Sequence, residues 1–182
     1  MLLLLILALL GSPACWADYI SEMYGSRKGT FFCSSEYNGE AVKGIRVSTN
    51  GLGIILNIQL QLGDFWDAVQ GIPGGRSQEL ILGPDEYITE IHGTFLLNLK
   101  QLIVCTSRPR CASFGKRVGQ EFSGFPKEEG EVLKGICGVR GVFGIRGISL
   151  KWGQAPTMLD TQGSGYPDWI PADAQSQYGP EK

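Results

Sequence analysis

The sequence has a single histidine, His92, and no Cys-x-x-Cys pair, so the usual ligand sets for zinc have nothing to start from. No metal and no cofactor are expected. His92 lies in the strand-like run Ile91-His92-Gly93, and no nucleophile or acid is evident that the fold would hold beside it, as a general base requires. A structural or edge-strand histidine is expected. Charge is also scarce: Asp, Glu, Lys and Arg make up 19% of the chain and sum to −2, so bulk charge does not point to nucleic acid. One pair of carboxylates set around aromatics, Asp64 and Asp67, falls in one turn, Gly63-Asp64-Phe65-Trp66-Asp67. A glycosidase needs its two carboxyl groups facing each other across a cleft. Asn38, Asn50, Asn57 and Asn98 all lack the N-x-[ST] context, so no N-glycan is expected. Nothing in the sequence supports an enzyme.

Long apolar runs are missing except for one, Leu2 to Leu10. It is about half the roughly 20 residues a spanning helix needs. Gly11, Ser12, Pro13 and small residues near Ala17 follow it, and it reads as the apolar core of a signal peptide, residues 1–17, although no Lys or Arg precedes it. Cleavage after Ala17 puts Cys15 at the minus-three position, whereas cleavage after Ala14 would leave Cys15 in the mature chain. Removing 17 residues leaves 182 − 17 = 165, enough for one domain with its own core. A secreted, extracellular protein with no integral membrane segment is expected. Four cysteines then remain in an oxidising compartment, and four allow three pairings. Cys105 and Cys111 flank the turn-like Ser107-Arg108-Pro109-Arg110, which favours pairing across a hairpin; Cys33 with Cys137 would follow by elimination.

What the chain does have is glycine, 26 of 182 residues, and short alternating runs rich in β-branched residues. Gly44–Ser48, Leu56–Leu62, Tyr87–Ile91, Leu99–Cys105, Glu131–Ile136 and Arg146–Trp152 read as strands bounded by turn residues. They group into three strand–loop–strand units. Ile45, Ile91 and Ile136 recur at steps of 46 and 45, and Ile58, Leu102 and Ile148 at steps of 44 and 46. Leu60, Val104 and Leu150 follow two residues later. A fixed period near 45 marks a repeat architecture. Three small units can share one core by closing around a pseudo-threefold axis, which predicts an all-β prism of three sheets. An ordinary sandwich leaves the spacing to coincidence, and a propeller normally has at least four blades. The prism domain is expected over 18–153. Residues 154–182, with scattered Pro, Gln, Ser and Gly, read as an extended tail, onto which Trp169 and Ile170 could still dock.

The stretches MYGSRKGTFF, GIRVSTNG, SQELILGPDEYITEI, CASFGKRVGQ and GIRGISLKW resemble the jacalin-related lectins, and more closely their mammalian secretory branch of zymogen-granule and salivary proteins. The resemblance runs from about Tyr24 to Trp152. It implies a β-prism I of three Greek-key sheets, release through secretory granules into saliva or other exocrine and mucosal fluids, and glycan binding. Implied partners are mucins, granule matrix or microbial surfaces.

In the lectins it resembles, sugars bind at one end of the prism between a Gly-rich loop and a loop of the third repeat. Gly25, Ser26, Arg27, Lys28 and Gly29 match the former, and glycines there let backbone N–H groups approach a hydroxyl-rich ligand. The third-repeat loop, Gly138 to Ile145 with Arg146 opening the final strand, supplies Arg140, Val142, Phe143, Gly144 and Arg146. Sugar-binding members carry an aspartate six residues before the closing aromatic of that strand. Six residues before Trp152 stands Arg146, an obligate donor in place of an acceptor. By the same analogy Arg108 and Arg110 form a recognition loop at the same end. The expectation is a lectin-like protein preferring anionic (sulfated or sialylated) glycans, since Arg suits such groups. The alternative is a degenerate lectin acting as a protein ligand for a cell-surface receptor.

Overall fold

The computed structural model describes residues 22–36 and 40–156. The expected signal peptide and most of the expected tail, with Trp169 and Ile170, lie outside the described residues. The chain forms strands β1 (Tyr24–Gly25), β2 (Thr30–Cys33), β3 (Val42–Thr49), β4 (Ile55–Leu62), β5 (Phe65–Trp66), β6 (Gln70–Gly71) and β7 (Arg76–Ile81). It continues as β8 (Ile88–Phe95), β9 (Leu99–Thr106), β10 (Cys111–Gly115), β11 (Gln120–Gly124), β12 (Glu131–Gly141) and β13 (Gly144–Gln154). No helix long and apolar enough to cross a membrane occurs among the described residues.

Each repeat builds one antiparallel sheet. The orders are β7-β3-β4-β5 with β6 also on β4, β11-β8-β9-β10, and β2-β12-β13-β1. The first two are Greek keys, in which three consecutive strands are joined by a fourth that returns beside the first. The third is the same key completed from the other end of the chain, with β1 and β2 as its third and fourth strands. This is a β-prism I.

The spaced residues form the core as the repeat requires. Ile45 faces Leu60, Ile91 faces Val104 and Ile136 faces Leu150, one cross-strand pair per sheet. All six are buried and belong to one cluster with Ile58, Leu102 and Ile148. Two irregularities also obey the threefold rule. Register shifts occur at Val42/Gly44, Ile88/Glu90 and Leu133/Gly135, and again at Ser48/Thr49, Thr94/Phe95 and Val139/Arg140. Such bulges bend and twist a hairpin, so the three sheets share one curvature. At the position of Val47, the second and third repeats carry Gly93 and Gly138. A Cβ there would strike the ring of Phe122 at 2.5 Å or of Phe32 at 2.6 Å, so each glycine makes room for an aromatic from the fourth strand.

Both cysteine pairs form: Cys105–Cys111 across the β9–β10 hairpin and Cys33–Cys137 between β2 and β12. The final strand begins at Gly144, before Arg146, and reaches Gln154, one residue past the expected end of the domain.

Candidate glycan site

The expected third-repeat loop is mostly strand. Gly138 to Gly141 lie in β12 and Gly144 opens β13, which leaves Val142-Phe143 as a two-residue hairpin turn. The glycines that suggested a loop serve close packing instead: Gly138 sits under Phe32, Gly141 under the aliphatic stem of Arg146, and Gly144 against the backbone of Ile55.

The Gly25–Gly29 loop crosses this hairpin as a strap from one edge of the sheet to the other. β1 pairs with β13 at Gly25↔Gly147, and β2 pairs with β12 at Thr30↔Arg140. The Ser26 N–H donates to the Arg146 carbonyl at 2.9 Å, and the Lys28 N–H donates to Ser26 Oγ at 3.1 Å. Gly25 has φ +88°, and a Cβ there would lie 2.5 Å from the Arg146 carbonyl oxygen. Gly29 lies equally tight on the Arg140 carbonyl. Gly25, Ser26, Gly29, Arg140 and Arg146 therefore do meet, along the two edges of one hairpin.

Two clefts open beside the strap, and Arg146 lines both. The larger, about 920 Å³, runs between the third and second sheets and is lined by Gly25, Ser26, Leu96, Leu97, Gln120 and Glu121, among others. Its floor is an aromatic row, with Tyr24 stacked on Phe122 at 4.8 Å and Phe95 beside Phe122 at 5.1 Å. Burial pushes the Tyr24 phenol above its usual pKa, and Glu22 adds to this. The smaller cleft holds Gly29, Thr30, Ile72, Arg140 and Val142. There Arg140 Nη1 donates to the Gly71 carbonyl at 3.1 Å, which ties the third repeat to the first.

Arg108 and Arg110 do not belong to this end. β9 runs away from it, from Leu99 opposite Phe95 to Thr106 opposite Ile88, and Phe95 is the residue that meets Gly25. Arg108 donates to the Pro84 carbonyl, and Arg110 pairs with the buried Glu86 at the far end. The β9–β10 hairpin is a structural clasp, and the six expected basic residues reduce to four.

Residues that composition did not single out replace them. Gly71–Gly75 and Gly115–Gly119 repeat the Gly-x-x-x-Gly strap at steps of 46 and 44 from Gly25. All six of these glycines have positive φ, and each of the two further straps lies on the backbone of its own hairpin. That spacing was readable in the sequence. The strap of the second repeat brings Lys116 and Arg117 to the same end, with Arg117 paired to Glu121.

The remaining residues singled out in the sequence lie away from the strap. His92 Nδ1 lies 2.9 Å from Ser123 Oγ and Nε2 3.1 Å from Glu90, so the sheet supplies the hydroxyl and carboxylate neighbours that the sequence did not reveal. They form a cross-strand polar ladder, Ser123 being the register partner of His92. Glu90, His92 and Cys105 come within 4.8 Å of one another, but the Cys105 sulfur is spent in its disulfide. Asp67 is buried and accepts from the Ser35 N–H and hydroxyl, both at 2.7 Å, which anchors the segment after β2. Trp66 lies under the Arg46 guanidinium at 4.1 Å.

Residues 21–148 match the Jacalin-like lectin domain. The chain belongs to the jacalin-like lectin family. It is 34% identical over 157 residues to the prostatic spermine-binding protein of Rattus norvegicus, covering 84% of this chain and 53% of that one. The chain thus spans about half the length of that relative. It is 32% identical over 147 residues to zymogen granule membrane protein 16 of the same species, covering 80% and 86%. Among solved structures it resembles a prostate-specific WGA16 glycoprotein lectin, with a TM-score of 0.69 and 38% identity over 74% of this chain and 98% of that one. Calystegia sepium agglutinin shares the fold, with a TM-score of 0.62 and 21% identity over 73% and 94%. These relatives are lectins by family.

Proposed function

We propose that the protein is a secreted lectin of exocrine or mucosal fluids whose site, between the Gly25–Gly29 strap and the β12–β13 hairpin, takes anionic glycans. The observation that carries this reading is the meeting of the strap with Arg140 and Arg146. Arg146 occupies the position where the family resemblance expects a sugar-accepting aspartate, and it borders both clefts. Guanidinium groups donate in a fixed fork suited to sulfate and carboxylate oxygens. Arg27 and Lys28 lie on the strap itself and extend the positive surface.

Such a site favours sulfated or sialylated chains of mucins, granule matrix or microbial surfaces over neutral mannose. A glycan array read at low and high salt tests this. Sulfated and sialylated glycans should be retained at low salt, released by salt, and lost when Arg27, Lys28 and Arg146 are replaced together by alanine. Equal retention of neutral glycans, or no change in that triple variant, rejects the reading. Receptor engagement that persists in the triple variant would favour a protein-ligand role for the remaining surface.

A further inference from the structure

The three hairpins that end at the strap end of the prism carry apolar tips. Leu52 lies in the β3–β4 turn, Leu96 and Leu97 in the β8–β9 turn, and Val142 and Phe143 in the β12–β13 turn. They are 72%, 65%, 75%, 83% and 70% exposed, and every other large apolar side chain among the described residues is at most 53% exposed. The pattern follows the repeat: Leu52, Leu97 and Val142 are separated by 45 and 45 residues. Equivalent places in three repeats lie at the same level along the axis, and the turns touch one another. Gly144 abuts Ile54 and Ile55, and Lys100 Nζ donates to the Leu52 carbonyl at 2.9 Å.

Charge at this end is one-sided. Segments 26–29, 50–54, 96–100, 115–121 and 139–146 hold Arg27, Lys28, Lys100, Lys116, Arg117, Arg140 and Arg146 against Glu121 alone, 7 − 1 = +6. The opposite end, 40–43, 62–65, 81–88, 106–111 and 124–132, holds four bases and seven acids, 4 − 7 = −3. A net charge of −2 hides this polarity.

We infer that the hairpin end docks on an anionic phospholipid bilayer, with the apolar tips in the headgroup–acyl boundary and the basic straps against lipid phosphates. Separate knobs at one level suit a flat, deformable bilayer, whereas a flat protein face would leave gaps between them. A basic collar beneath an apolar tip is the arrangement that interfacial binding rewards, because the two attractions add. A lipid phosphate needs no recognition geometry, only a positive surface that can approach it.

The test uses the full secreted chain and vesicles that carry no sugar, so its outcome is independent of the glycan reading. Vesicles of phosphatidylcholine with one-third phosphatidylglycerol should cosediment the protein, and pure phosphatidylcholine should retain far less. Replacing Leu52, Leu97 and Phe143 together by serine should weaken binding by about tenfold or more, since each buried methylene contributes. These side chains are exposed, so the unfolding midpoint should stay put and serves as the folding control. Replacing Lys116 and Arg117 by serine should weaken binding by about fivefold per charge and reduce its salt sensitivity. No binding to the phosphatidylglycerol vesicles overturns the inference. So does unchanged binding of the triple-serine variant, or a triple-serine effect confined to self-association in solution.

Discussion

Glu86 is gripped by both arms of Arg110: Nε lies 2.6 Å from one carboxylate oxygen and Nη2 2.7 Å from the other. The Gly83 N–H and Thr106 hydroxyl complete its shell at 2.8 and 2.7 Å. The loop before β8 is thereby fixed to the hairpin after β9. Arg110 holds the carboxyl down to about 2 from an ordinary 4.5, with Gly83 and Thr106 helping. A depressed carboxyl pKa stabilises the fold fully above the unfolded value, and that stabilisation is lost as pH falls through the folded one. Thermal unfolding of wild type should therefore lose ground to Glu86→Gln between about pH 4.5 and 2, with the gap widest at neutral pH. A gap that stays constant with pH would show that the ion pair carries none of it.

The two disulfides close loops of very different length, with sequence separations of 104 and 6. In the chain-entropy account the long loop contributes about 5 kcal/mol and the short one roughly 2 kcal/mol. Paired Cys→Ser variants unfolded in urea should show this order. A Cys105/Cys111 variant that loses as much as the Cys33/Cys137 variant would mean the clasp matters through packing.

Gly25 and Gly51 offer a matched contrast. A Cβ on Gly25 needs an unfavourable positive φ and meets backbone, whereas one on Gly51 meets nothing within 4 Å. Gly25→Ala should cost about 1–3 kcal/mol and lower glycan retention by displacing the strap. Gly51→Ala should be within about 0.5 kcal/mol of wild type. Equal stability of the two variants in a denaturant titration would reject the tight-strap account.

The prism was legible because a core shared by three units forces the same residue type at the same depth in each, as with Ile45, Ile91 and Ile136. The clasp at Glu86 was not, because its partner is 24 residues away and nothing local marks either side chain as buried. The stretch Gly138–Ile145 misled for a related reason: its glycines are a response to Phe32 and Arg146 lying on top of them, and only the assembled sheet shows what lies there. Family analogy placed Arg108 and Arg110 at the wrong end: β9 starts at the strap end and carries the turn after it to the other. The repeated straps were visible in spacing alone, at Gly25, Gly71 and Gly115.

The third sheet takes its inner strands from the last repeat and its outer strands from the first residues of the domain. During synthesis, β2 has no sheet partner until β12 has emerged, and β1 has none until β13 has. The first two sheets can close as each is delivered, but the shared core stays open on one side until then. Strap and hairpin are therefore completed late, after the β2–β12 pairing that the Cys33–Cys137 bond joins, in a largely non-local assembly. A strap and hairpin assembled this way report that the whole domain has arrived.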